Sequence, residues 1–399
     1  MARTTMSNPH RCLPQEILDH IVDLLHDHPE ALRQCCLVSR SWVPRTRQHL
    51  FAEINFLTVN HFKSWKETFP DPANSPGHYA HTMRVYCDLA STGEGNWTQS
   101  FSRVERLTVG PASGVVNAPL IPFYKFSASL KSLHVVCSTI SHSHILHLVR
   151  FLPLLEDLTL IGYPPISWDG LPSTLPSTSP AFTGTLEIVP LRGRVNVVRQ
   201  LLDLPNGLHF RNLILTWCEE EDSRWMDDLV AGCSSTLECF DVCHSRFGQF
   251  VLAIRQACDL HISVIAIPPF IDLSKATKLR DAVFQPGSLN VEWVSKALRT
   301  ITPIHQDFRR ISISMHRDLN LTQPDVDVRE TIGERIYGQW SDLDRLLVQF
   351  WESRLIRPEV IWAMVEKKRK VTRDSIGCLL PEITKRGIID LVEREPSYV

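Results

Sequence analysis

Apolar residues at Ile17, Leu18, Ile21, Val22, Leu24 and Leu25 recur at the spacing of one helix face, and Pro14 suits a first turn, where its missing N–H costs nothing. The pattern predicts a helix from about Pro14 to His26. His28-Pro29 interrupts it, a second short helix runs through Ala31, Leu32 and Cys36, and Pro44 opens a third that ends near Leu50. Three short helices bury little apolar surface, and domains of ~40 residues usually need a partner, a metal or a staple. This bundle must lean on something.

Past Phe51 the period changes. Glu53-Ile54-Asn55-Phe56 alternates polar and apolar as a strand does, Asn60 can cap a helix carrying Phe62, Trp65 and Phe69, and the stretch from Pro70 to His78 reads as a loop. Leu-x-x-Leu-x-Leu-like segments then recur: VERLTV at 104, LKSLHV at 130, LEDLTL at 155, FRNLIL at 210, LECFDV at 237, LRDAVF at 279, FRRISI at 308 and LDRLLV at 343, with vaguer members at Met83 and Leu186. Their fourth positions, 83, 107, 133, 158, 186, 213, 240, 282, 311 and 346, give steps of 24, 26, 25, 28, 27, 27, 42, 29 and 35. Six successive steps fall within the ~20–29 residue period of leucine-rich repeats. His144 to Leu154, Val195 to Leu204, Arg224 to Ala231, Phe247 to Cys258 and Val291 to Ile301 carry apolar residues at helical intervals between the strands. No single strand–helix unit covers its own apolar face, so neighbours must stack. The expected fold is α/β: a small N-terminal three-helix domain, then an irregular leucine-rich-repeat-like βα solenoid with a curved parallel sheet. The expected divisions are 11–52 for the helical domain, 53–80 for a linking strand and helix, and 81–399 for the repeats. Further helices are expected over Pro358 to Lys368 and, closing the last repeat, over Leu379 to Val392.

Composition narrows the function. A net charge of −2 argues against a chain whose task is to neutralise phosphates, so no nucleic-acid partner is expected. The eleven scattered cysteines, with no secretory signal before Leu13, read as reduced thiols. The longest apolar run, Ile262 to Ile271, is broken by Pro268-Pro269 and is short of the ~20 residues that span a bilayer. A protein of the cytoplasm or nucleus, without a membrane partner, is the expectation.

Leu13-Pro14, Glu16-Ile17-Leu18 and Ile21, followed by Leu37-Val38-Ser39-Arg40-Ser41-Trp42, resemble the F-box pattern, Leu-Pro-x-Glu-Ile-Leu and then a Val-(Cys/Ser)-(Lys/Arg)-x-Trp block. The match covers about a tenth of the chain, and fungal F-box proteins with a leucine-rich-repeat-like body are the nearest type. The resemblance implies that these helices dock on the Skp adaptor of a cullin–RING ubiquitin ligase while the remainder selects a protein substrate. It places Leu13, Pro14, Ile17, Leu18, Ile21, Val38, Ser39 and Trp42 at the adaptor. A cap needs the same apolar stripe, so Val22, Leu25 and Leu50 are the candidates for closing the repeat end.

Residues between the buried strand positions form the candidate substrate surface: Arg106, Thr108, Ser132, His134, Asp157, Thr159, Asn212, Asp241, Arg310 and Ser312. They share no chemistry that names a substrate. His142, His144 and His147 lack a completing carboxylate, and Cys233, Cys239, Cys243 and His244 match no paired zinc spacing, with Cys239 expected to point away from Cys243. No phosphate loop or nucleophile elbow is present. The chain thus reads as a non-catalytic receptor without cofactor or metal. The rival readings are a scaffold outside any ligase and an enzyme built on the cysteine–histidine cluster.

Overall fold

The computed structural model describes residues 13–87, 97–110, 126, 128–137, 149–150, 152–162, 182–189, 198–199, 201–204, 206–217, 222–244, 271–286, 290–315, 333–354, 356, 358–363, 377–388 and 390–394. The chain divides into two compact units, Met1–Ser132 and Leu133–Val399.

In the first unit, helices α1 (Gln15–Asp23), α2 (Pro29–Val38) and α3 (Val43–Leu50) form the N-terminal bundle. Proline sets each start: Pro14 precedes α1 in extended backbone, Pro29 is the first residue of α2, and Pro44 lies in the first turn of α3. Helix α1 stops at Asp23, short of the expected His26, and Leu24 to Asp27 form a turn. Val22, Leu32, Cys35 and the methyl-bearing Thr46 fill the bundle interior. Strand β1 (Glu53–Phe56) follows, then α4 (Val59–Thr68). The α4 cap is Thr58, whose hydroxyl accepts from the His61 N–H, in place of the expected Asn60. The extended backbone that a capping residue needs occurs at Thr58, which leaves Asn60 inside the first turn.

Strands β2 (Thr82–Val85) and β3 (Arg106–Val109) extend the unit, with β1 parallel to β2 and β2 parallel to β3. The stretch expected as a loop, 70–78, folds into two tight 3₁₀ turns, Pro72–Asn74 and Pro76–Tyr79, and buries Ser75, Pro76 and Gly77. Alternation along β1 turns Ile54 and Phe56 inward. Phe56 then meets Phe62, Trp65 and Phe101 edge-on at 5.2, 5.9 and 6.0 Å, an arrangement that suits aromatic quadrupoles.

The second unit carries strands β4 (Ser132–Cys137, whose first residue closes the first unit), β5 (Asp157–Gly162), β6 (Thr185–Ile188), β7 (Asn212–Trp217), β8 (Cys239–His244), β9 (Asp281–Gln285), β10 (Arg310–Met315), β11 (Glu359–Ala363) and β12 (Asp390–Arg394). From β5 to β12 each strand pairs in parallel with the next. Helices α5 (Asp222–Cys233), α6 (Glu292–Arg299), α7 (Glu334–Arg354) and α8 (Pro381–Lys385) lie between strands in the chain. The residues that set the sequence spacing are register partners: Leu158 with Leu186, Leu186 with Leu213, Leu213 with Phe240, Phe240 with Ala282, and Ala282 with Ile311. Equal spacing along the chain has become lateral neighbourhood.

The C-terminal part differs from expectation. LDRLLV at 343–348 is not a strand but the middle of α7, where Trp340, Leu343, Leu347 and Phe350 are buried. Leucines three and four apart satisfy a helix stripe as well as a repeat template, so the motif alone does not separate them. The next strand is β11, in the stretch expected as helix from Pro358, and Val360 pairs with Ile313. Its β-branched and aromatic Val360-Ile361-Trp362 suits a pleated surface. The closing stretch is α8 followed by strand β12, which pairs with β11. Gly387, at φ +65°, makes the reversal between them. The three histidines at 142–147, the helix expected over 247–258 and all but the last residue of the apolar run from Ile262 to Ile271 lie outside the described residues.

Candidate functional site

Two surfaces follow from these elements, one on each unit. On the first, α1 sorts its apolar residues onto two sides. Val22 is fully buried, whereas Leu13, Ile17, Ile21 and Leu24 are 56, 47, 36 and 67% exposed, and Leu37 and Val38 at the end of α2 are 80 and 67% exposed. Pro14 is exposed, and Leu18, Ser39 and Trp42 are partly buried. The apolar members of the set assigned by resemblance to the adaptor are thus chiefly solvent-facing. Leu24 and Leu37, outside that set, are exposed as well. Of the residues expected on the opposite side, Val22 is buried, and Leu25 and Leu50 are half-buried.

Polar contacts fix this patch in place. Arg45 on α3 grips Asp23 at the end of α1, with Nε donating to Oδ1 at 2.5 Å and Nη2 to Oδ2 at 2.7 Å. His49 Nε2 lies 2.7 Å from the same Oδ1. Hydrogen bonds from Arg45 first, then His49, hold the Asp23 carboxyl well below the usual carboxylate range. The Trp42 carbonyl accepts from the Thr46 hydroxyl at 2.8 Å, and Gln15 Nε2 donates to the Ser41 carbonyl at 3.3 Å, which ties the start of α1 to the 39–42 turn.

The second surface is the strand face turned away from the buried leucines. His134, Asp157, Asn212, Asp241 and Arg310, on β4 to β10 of the second unit, are half-buried; the remaining candidate, Arg106, lies on β3 of the first unit and is exposed. Ser312, expected toward solvent, is fully buried, and its hydroxyl donates to Glu359 Oε2 at 3.1 Å. Arg310 reaches the same oxygen through Nε and Nη2 at 3.1 and 2.8 Å. Asp157 accepts from the Thr185 N–H at 2.6 Å, Asn212 Nδ2 donates to Thr185 Oγ1 at 3.2 Å, and Gln285 Nε2 donates to Asp241 Oδ1 at 2.9 Å.

Register places Thr185, Asn212, Cys239, Asp281 and Arg310 in one row across five strands, so Asn212 and Arg310 stand three strands apart, roughly 14 Å at ~4.8 Å per strand. These side chains form a lateral ladder and do not converge on one reacting centre. Glu359 and Gln285 belong to the ladder but could not be chosen from sequence, since only register shows that they flank Arg310 and Asp241.

Cys239, expected to point away from Cys243, instead shares the Asp241 face with it, because residues two apart on a strand point the same way. Burial pushes the Cys233 thiol up to about 12, and burial together with the charges of Asp241 and Asp281 pushes Cys239 up to about 11. Both thiols stay protonated at neutral pH, which opposes thiolate chemistry. Among the described residues no three His, Cys, Asp or Glu side chains are grouped to hold a metal ion, and no helix is long and apolar enough to cross a membrane. No protein-family model matches the chain, and no curated protein compared with it is similar to it.

Proposed function

We propose that this chain is a non-catalytic substrate receptor of a Skp–cullin–F-box ubiquitin ligase, with an F-box at its N-terminus and a leucine-rich-repeat-like body that holds a target protein. One observation carries the reading: Leu13, Ile17, Ile21 and Val38, four of the apolar positions that the resemblance assigns to the adaptor, are solvent-exposed, whereas Val22, Leu32 and Cys35 are buried in the bundle. Large apolar side chains left in water on a small bundle mark an interaction surface. The strand-face ladder from Asp157 to Glu359 supplies hydrogen-bonding and charged groups at fixed intervals, which suits holding a protein segment. The receptor's contribution to ubiquitin transfer is proximity: it brings the target lysine to an activated ubiquitin carried by other subunits.

The test is a pull-down with purified Skp adaptor. The full-length chain should bind, and the double variant Leu13→Asp with Ile17→Asp should lose binding while keeping its melting temperature. Failure of the wild type to bind, or unchanged binding by the folded double variant, would overturn the reading and favour a scaffold outside any ligase.

A further inference from the structure

We propose that Leu24, which the resemblance leaves unassigned, is a further adaptor contact and closes the docking row of α1. This inference rests on the F-box reading and adds one residue to the same surface.

Apolar residues come in doublets along α1: Ile17-Leu18, Ile21-Val22 and Leu24-Leu25. Residues at i, i+4 and i+7 share a helix face, so the doublets make two rows side by side. The second members, Leu18, Val22 and Leu25, turn inward, Val22 fully buried and the other two half-buried. The first members, Ile17, Ile21 and Leu24, are all exposed. One apolar row is what a helix on the surface of a bundle needs to pack. The fold uses the inward row and leaves the outward one in water.

Leu24 is the most exposed of the outward three, and it is held rather than frayed. Its backbone is still helical, at φ −67° and ψ −16°, and its N–H donates to the His20 carbonyl at 3.1 Å. The residue before it is Asp23, which Arg45 and His49 fasten to α3. Leu24 therefore keeps its place in the row through the end of the helix.

The rigidity of a helix identifies the occupant. At a rise of ~1.5 Å per residue, the row is about 10 Å long and Leu24 lies about 4.5 Å beyond Ile21 along the axis. A partner packed on Ile17 and Ile21 reaches Leu24 unless its surface stops within the length of one side chain. The adaptor surface that meets Leu24 is apolar, since a charged group pressed against a leucine loses its water without gaining a partner.

The experiment is a titration of purified Skp adaptor onto the immobilised full-length chain. Leu24→Asp should weaken binding by about tenfold or more, Leu24→Ser by a smaller factor, and Leu24→Met should bind as the wild type does. All three should keep the wild-type melting temperature, because the side chain is exposed. Leu154→Asp, at an exposed leucine of the second unit, is the control and should bind normally. Tight wild-type binding that Leu24→Asp and Leu24→Ser leave unchanged would overturn this inference and leave the F-box reading standing. A wild type that does not bind would overturn both. Equal weakening by Leu154→Asp would show a general effect of added charge and overturn the assignment of Leu24.

Discussion

The Asp23 carboxylate takes both prongs of the Arg45 guanidinium, at 2.5 and 2.7 Å, and so locks the end of α1 to α3. Neither residue belongs to the exposed apolar row, yet their pairing sets the angle at which Ile17 and Ile21 are presented. Asp23→Asn should lower the melting temperature and weaken adaptor binding with every exposed apolar side chain intact. The pH dependence has a definite sign. The folded carboxyl is held below its ordinary 3.8, so the stabilisation is complete above that value and is lost as pH falls through it toward the folded value. Thermal melts of wild type and Asp23→Asn should differ at pH 5 and converge as pH falls below about 4. A gap unchanged at low pH would rule the clasp out as its source.

Asp344 gives the opposite sign. It is 2% exposed on α7, and its two oxygens accept the N–H groups of Glu382 and Ile383, at 2.7 and 3.0 Å, capping α8. Asp344→Ala should cost about 1–3 kcal/mol in urea denaturation, since two inward N–H groups lose their acceptor. Burial raises this carboxyl against the lowering effect of those N–H groups. Between its ordinary value and the raised one, the folded chain binds the extra proton, so this contribution to stability falls as pH rises. The wild type should gain on Asp344→Asn as pH is lowered through that window, and a gap that instead widens with pH would contradict the burial argument.

Gly77 is required by space. A β-carbon there would lie 2.7 Å from the Ser100 carbonyl oxygen and 2.8 Å from the Phe101 ring. Gly77→Ala should destabilise the first unit by about 1–3 kcal/mol, the usual range for overpacking a filled site. Limited proteolysis should show faster cleavage within residues 13–110, and an unaltered pattern would mean that the 3₁₀ turns yield without cost.

His305→Ala removes a ring that bridges the Thr302 N–H and the Leu273 carbonyl. A loss of about 1–3 kcal/mol is expected in urea denaturation. Hydrogen exchange should quicken at the Thr302 amide, and protection equal to the wild type would show that another acceptor replaces the ring.

Much of the architecture was legible in the sequence because hydrophobic period is a local property. The alternation of β1 and the recurrence of Leu158, Leu186, Leu213 and Phe240 record which residues must face inward, and equal spacing converts directly into parallel register. Legibility failed where one motif fits two periods. LDRLLV satisfies strand and helix templates alike, and only packing of Trp340, Leu343 and Phe350 made it α7.

The candidate surfaces divide in the same way. By itself the sequence determined the apolar stripe of α1, the proline-set helix starts and the strand positions that leave Asp157, Asn212, Asp241 and Arg310 between buried neighbours. Tertiary structure decided which side of the stripe is spent on the interior: Val22 is covered while Ile17 and Leu24 meet solvent. It also decided partners. Arg310 lies 49 residues from Glu359, Asp23 lies 22 from Arg45, and Asp344 lies 39 from Ile383. A local pattern fixes which face a side chain takes; the partner it meets there depends on strand register and helix packing, which long stretches of intervening chain leave open.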